Sequence, residues 1–195
     1  MIYALIAVPA FLFFYVLSVY NRLSTMRVRI SASIQEIGNQ LKRQAELLPN
    51  LADIFKGAKK QEREIFEMLT EARKTIVEAI KSGDQKAVEF SQDLLQKAMG
   101  QMKIVVESNP QIQSISTLSS ITENLRDTAD KIMYSRRVLI DLSADYNVML
   151  VTFPSKMVAS VFGFKSAEGL KTPVSGEFLE VSSEDTKTPK LDLDK

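Results

Sequence analysis

Residues 114–151 read SISTLSSITENLRDTADKIMYSRRVLIDLSADYNVMLV, and within them Leu118, Leu125, Ile132, Leu139 and Tyr146 recur every seventh residue. Phe153 continues the series just beyond. Ile121, Leu142 and Met149 hold the companion positions three residues later, with Thr128 and Ser135 as polar interruptions. Apolar residues at alternating steps of three and four mark one face of a helix that packs along its whole length. At ~1.5 Å per residue the segment forms a helix about 57 Å long. A seam of that length needs partners.

The chain before it supplies three. Ile30, Ile34, Ile37, Leu41, Leu48, Leu51 and Phe55 form one stripe, with Gln44 in its polar gap. Ile65, Met68, Leu69, Ala72, Ile76 and Ile80 form a second, and Val88, Phe90, Leu94, Leu95, Ala98, Met102, Val105 and Val106 a third. Between the N-terminal run and Phe162 the punctuation is sparse: Gly38, Gly57, Gly83 and Gly100, with Pro49, Pro110 and Pro154. Sparse punctuation means long helices and few turns. Ser82-Gly83 is a helix end followed by Asp84 as the next N-cap, and Asn109-Pro110 stops the third helix. Residues Gln111 to Ser116 then form a connection. Pro49 either kinks or ends the first helix, and Gly57 is a plausible stop beyond it. The expected fold is all-α, an antiparallel four-helix bundle. An extended coiled-coil rod is the competing arrangement, disfavoured by the turns after Gly83 and Pro110.

The N-terminus carries a different signal. Residues 1–20, MIYALIAVPAFLFFYVLSVY, contain no charge, and Arg22, Arg27 and Arg29 follow at once. From Ile2 to Tyr20 the run spans about 28 Å as a helix, against ~30 Å for a bilayer's hydrocarbon core. Tyr3 and Tyr20 stand at its two ends, where amphipathic rings sit at headgroup level. A cleaved signal peptide would open on Lys or Arg and close on a small-x-small site. Neither is present, so residues 1–20 are expected to be a single-pass anchor. Nothing between Ser18 and Leu48 breaks helicity, so the anchor should run on into the bundle. Residues 21–43 carry Arg22, Arg27, Arg29, Lys42 and Arg43 against the single acid Glu36. The positive-inside rule therefore puts the N-terminus outside and the bundle, residues 21–164, in the cytoplasm at the inner membrane. After Pro154 the segment SKMVASVFGF reads as one short helix ending at Gly163. Residues 165–195, rich in Ser, Thr, Pro, Lys, Asp and Glu, are expected to be a disordered tail.

Composition excludes more than it suggests. Lys+Arg 25 against Asp+Glu 24 leaves a net charge of +1, without the basic excess of a nucleic-acid binder. There is no cysteine and no histidine, which removes thiolate chemistry, disulfides, imidazole ligands and the usual neutral-pH base. Glu62, Glu64, Glu67 and Glu71 line up on one helix, yet a di-metal carboxylate site would lack its histidines. No catalytic residue, cofactor or metal is expected.

Several segments, in order, resemble the LemA family of bacterial membrane proteins. They are Tyr20-Asn21-x-Leu23, LKRQAELLPNL at 41–51, Gly57, TEAR at 70–73, and Glu107 with Asn109-Pro110. Thr128 through SRR at 135–137, Tyr146-Asn147, Phe153-Pro154, FGF at 162–164 and, weakly, PKLDL at 189–193 complete the series. Where the family usually has Trp, Asp and Glu, this chain has Ile34, Gly38 and Ala129, and a second Tyr-Asn pair is replaced by Leu139-Ile140. Roles tied to those positions do not carry over, whereas Tyr20, Asn21, Tyr146 and Asn147 can keep theirs. The resemblance implies a single membrane anchor and a cytoplasmic helical bundle, with no known reaction. In some branches it implies a link to the biogenesis of intracellular bacterial membranes.

These readings nominate a few residues. Tyr146 lies on the seam and Asn147 one step off it, either as a polar contact to a partner or with Tyr146 packed and its hydroxyl aimed at a helix end. Arg136 and Arg137 lie mid-helix beside Ser135, either paired with Glu71 or another acid across the bundle or simply solvated. Arg22, Arg27 and Arg29 are candidate contacts for anionic lipid headgroups, each contributing about 1 kcal/mol near the surface. The expected function is a membrane-anchored, non-enzymatic adaptor or scaffold, contacting the bilayer and other membrane or cytoplasmic proteins or a second copy of itself, without nucleic acid. The alternative is a protein that organises or remodels membranes through anionic lipids.

Overall fold

A single helix, α1 (Ile2–Ile54), carries the N-terminal apolar run directly into the bundle in the computed structural model, which describes residues 2–56, 60–113 and 115–167. At ~1.5 Å per residue it is about 80 Å long. Tyr3, Phe11, Phe13 and Phe14 are exposed on its first turns. A helix with that face bare is unsuited to water. Among the described residues it is the one helix long and apolar enough to cross a membrane, and only 11% of its most apolar stretch is buried by protein.

Pro49 lies inside α1 and neither ends it nor leaves a bare acceptor. Proline has no N–H, so the carbonyl four residues earlier, that of Ala45, loses its helical donor. Arg73 Nε of the second helix donates to that oxygen at 3.2 Å. The helix stops instead at Phe55 and Lys56, whose N–H groups bond Ala52 O at 3.0 Å and Asp53 O at 3.3 Å. Gly57, the stop expected from sequence, lies outside the described residues.

Helix α2 (Lys60–Ser82) returns along α1, and α3 (Gln85–Ser108) returns along α2. Gly83, at φ 63°, makes the turn between them, and Asp84 caps α3 by accepting from the Lys86 N–H at 3.0 Å. The connection expected over Gln111–Ser116 begins with one helical turn, α4 (Pro110–Gln113). Helix α5 (Ser116–Val151) then runs antiparallel to α1, and α6 (Ser155–Val161) folds back against both. The fold is an all-α, antiparallel four-helix bundle on a helical anchor. The tail from 168 to 195 lies outside the described residues.

The four long helices do not run side by side for their full length. Arg73 meets Ala45 and Gln92 meets Gln44, so α2 and α3 reach no farther down α1 than about residue 36. Below that level the helices that pack on α1 are α5 and α6. The result is a four-helix head on a neck of two long helices and the short α6. Val19, Leu23, Met26 and Ile30 of α1, Leu139 and Tyr146 of α5, and Val158 and Ala159 of α6 are all buried members of the hydrophobic core, and these three helices contact one another.

The seam contains more polar residues than its apolar spacing suggests. Ser33, rather than Ile34, turns inward on α1, and Ile34 is 51% exposed. Thr75 and Ala79 replace Ile80 on α2, and Ser91 replaces Phe90 on α3. Three of the buried hydroxyls bond their own helix: Thr75 to Ala72 O at 2.9 Å, Ser91 to Val88 O at 2.7 Å and Thr128 to Leu125 O at 2.8 Å. Gln44 is fully buried and exchanges two amide hydrogen bonds with Gln92, at 3.1 and 2.8 Å. Phe153 falls past the end of α5 and is 81% exposed, so the heptad series closes at Tyr146.

Candidate interaction site

Where α1 leaves its apolar run, the chain after α6 crosses it. The Tyr20 ring packs against Phe162 and Phe164, with centroids 4.9 and 5.6 Å away. Gly163, at φ 68°, lets the backbone reverse between those two phenylalanines. Only glycine reaches that conformation without strain.

The same strand of chain is then clamped to α5. Tyr146 is almost wholly buried, and its hydroxyl donates to the Lys165 carbonyl at 3.0 Å. Asn147 pairs with both backbone polar groups of Ala167. Its Nδ2 donates to Ala167 O at 3.0 Å, and its Oδ1 accepts from the Ala167 N–H at 3.0 Å. The Tyr146 hydroxyl therefore does meet backbone, though at a returning segment and not at a helix end. The boundary drawn at residue 164 falls inside this clamp.

Two recesses flank it. One, of about 450 Å³, lies among Tyr20, Ser24, Arg27, Phe162 and Phe164. The other, of about 370 Å³, lies among Arg27, Ile30, Tyr146, Lys165 and Ser166. Arg27 borders both and Lys165 borders the second, so two basic residues stand beside an aromatic cluster at the end of the apolar helix. Cations and rings so placed suit phosphate headgroups and the ester region beneath them. Asn21, Arg22 and Arg29 are exposed on α1 outside this cluster.

Arg136 and Arg137 lie elsewhere. Arg137 is exposed. Arg136 is partly buried and ion-pairs with Glu89 of α3, while Glu71 pairs with Lys74 on its own helix. The Arg136 Nε is buried without a hydrogen-bond partner among the described residues. It borders a cleft of about 630 Å³ between α3 and α5, which approach one another less closely than the other neighbouring helices. Leu95, Met99, Ile132 and Met133 give the cleft an apolar lining, and Lys103 and Arg126 add positive charge. Sequence periodicity missed this opening because a stripe reports which face turns inward, not how far apart two helices stand. The described residues contain no group of three or more carboxylates placed to hold a metal ion.

The pattern of the LemA family matches residues 33–182, more than half of the chain. The magnetosome protein MamQ of Magnetospirillum gryphiswaldense is 25% identical over 181 residues, covering 81% of this chain and 66% of that protein. MamQ 2 of Paramagnetospirillum magneticum is 30% identical over 80 residues, covering 41% of this chain and 29% of that protein. The chain thus spans just under two thirds of the first relative and under one third of the second. With the apolar helix and the helical bundle, the match identifies a membrane-associated helical protein: the chain belongs to the LemA family.

Proposed function

We propose that this protein is a non-enzymatic adaptor or scaffold, anchored by α1 in the inner membrane with its bundle in the cytoplasm. The observation that carries the reading is the cleft between α3 and α5, apolar within and basic at its edge. A long opening between two helices suits an extended or helical segment of another protein. Lys103 and Arg126 on the lining would favour a segment that carries acidic residues. Arg22, Arg27, Arg29, Lys42 and Arg43 support the cytoplasmic orientation. The relatives named for the magnetosome fit a structural role better than a catalytic one.

The test uses Gly100, which borders the cleft and has open space where a Cβ would project. Gly100→Trp should fill the cleft and leave the bundle folded. Proteins crosslinked to the wild-type chain in mild detergent should be lost from the variant. An identical set of crosslinked proteins from both would count against the cleft as the docking surface.

A second reading, a protein that organises anionic lipid, is favoured by Arg27 and Lys165 at the membrane end. Replacing Arg22, Arg27 and Arg29 together by Gln should lower the ratio of anionic to zwitterionic lipid retained on purification. An unchanged ratio would remove the support.

A further inference from the structure

Beyond the anchor, exposed large apolar side chains concentrate in one short stretch of the chain. Val148, Val151, Phe153, Met157, Val161 and Phe162 are each at least half exposed, with Phe153 and Val161 at 81% and 80%. Their level in the molecule follows from contacts already given. Tyr146 borders the same recess as Arg27, and α5 runs antiparallel to α1. Val151 is five residues farther along, about 7.5 Å, while Tyr20 is about 10 Å from Arg27 on α1. At the other end of the stretch, the Phe162 ring touches Tyr20. The exposed apolar residues therefore stand level with the end of the apolar helix.

Helix α6 has apolar residues on both faces. Val158 and Ala159 face inward against the neck, leaving Met157 and Val161 outward with no protein cover. Charge agrees with this placement. From Tyr146 to Ala167 the chain has Lys156 and Lys165 and no acid. A short apolar surface with basic residues only, beside a membrane helix, has the chemistry of an interfacial segment that lies within the headgroup boundary.

We propose that α6 and its flanks, from Val151 to Phe162, form a second membrane contact that dips into the bilayer surface beside α1. The occupant of this face is the lipid itself, because the face is continuous with the helix that enters it. The protein then meets the bilayer twice, once by spanning and once by lying on it. The inference rests on α1 being a membrane anchor.

The chain has no cysteine, so single-cysteine labelling is clean. The 195-residue chain in phosphatidylcholine–phosphatidylglycerol vesicles would carry an environment-sensitive fluorophore at Phe153→Cys, Val161→Cys, Tyr134→Cys or Phe14→Cys. Tyr134 is an exposed residue well up α5, and Phe14 lies within the apolar run. Labels at 153 and 161 should be blue-shifted, quenched several-fold more by nitroxide lipid than the label at 134, and shielded from aqueous iodide. Labels at 153 and 161 that behave like the one at 134, with 14 still quenched by lipid, would overturn the second contact alone. Loss of lipid quenching at 14 would overturn the anchor and the inference with it. Shielding of 153 and 161 from both quenchers, with energy transfer between copies, would assign the face to a second copy and likewise overturn the proposal.

Discussion

Arg73 donates its Nε–H to the carbonyl oxygen of Ala45 at 3.2 Å, the acceptor that Pro49 leaves without a helical partner. A side chain from α2 thus repairs the gap that a proline opens in α1. The two families of substitution at this place should be coupled. Arg73→Leu should destabilise the protein by about 1–3 kcal/mol, because a part-buried acceptor is left bare. In a Pro49→Ala background the helix supplies its own donor, and Arg73→Leu should then cost markedly less. A double-mutant cycle by urea denaturation in mild detergent measures the difference. Additive costs would mean that Arg73 does not compensate for Pro49.

Asn147 holds Ala167 by its backbone N–H and its carbonyl at once. Asn147→Asp keeps the acceptor and turns the donor into a second acceptor facing the Ala167 carbonyl. The variant should release residues 162–167 while the head stays intact. Hydrogen exchange should rise sharply in that segment and hardly at all in α2 and α3. Equal protection of residues 162–167 in the wild type and the variant would refute the clamp.

Ile132 is almost wholly buried at the centre of α5, and Tyr134, two residues on, is exposed. Ile132→Ala should cost about 2–5 kcal/mol and Tyr134→Ala little. Equal urea midpoints would show that α5 does not pack through this face.

Two glycines should respond to the same change with opposite signs. Gly83 sits at φ 63°, where an L side chain costs about 1–2 kcal/mol, so Gly83→Ala should lower the unfolding midpoint. Gly100 lies inside α3 with nothing within 4 Å of a new Cβ. Gly100→Ala should raise the midpoint, by up to about 1 kcal/mol. A shift in the same direction for both would contradict the assigned backbone conformations.

The helices, their order and their antiparallel connections were legible because long apolar stripes and scarce glycine leave few other folds. Individual seam positions were less so. Ile34, Ile80 and Phe90 lie beside the buried line, whereas Ser33, Ala79 and Ser91 lie on it. A small hydroxyl that bonds its own helix is cheap to bury, so hydropathy alone gives the seam to the larger neighbour. The candidate site was half visible. Tyr20, Tyr146, Asn147 and the FGF segment each stood out, but three of their contacts end on backbone atoms, which leave no mark in a sequence. The Arg73–Ala45 bond joins LKRQAELLPNL to TEAR, two segments quoted for the family resemblance without any sign that they touch.

Helix α1 continues without a break from its apolar run to Ile54, about 50 Å beyond Tyr20. It therefore acts as a lever whose short arm lies in lipid. Transmembrane helices adjust to bilayer thickness by tilting. A change of about 10° in the buried arm swings the far end of the head by about 9 Å if the helix stays straight. The thickness and composition of the membrane would then set where the cleft between α3 and α5 is presented, with no ligand and no change of fold.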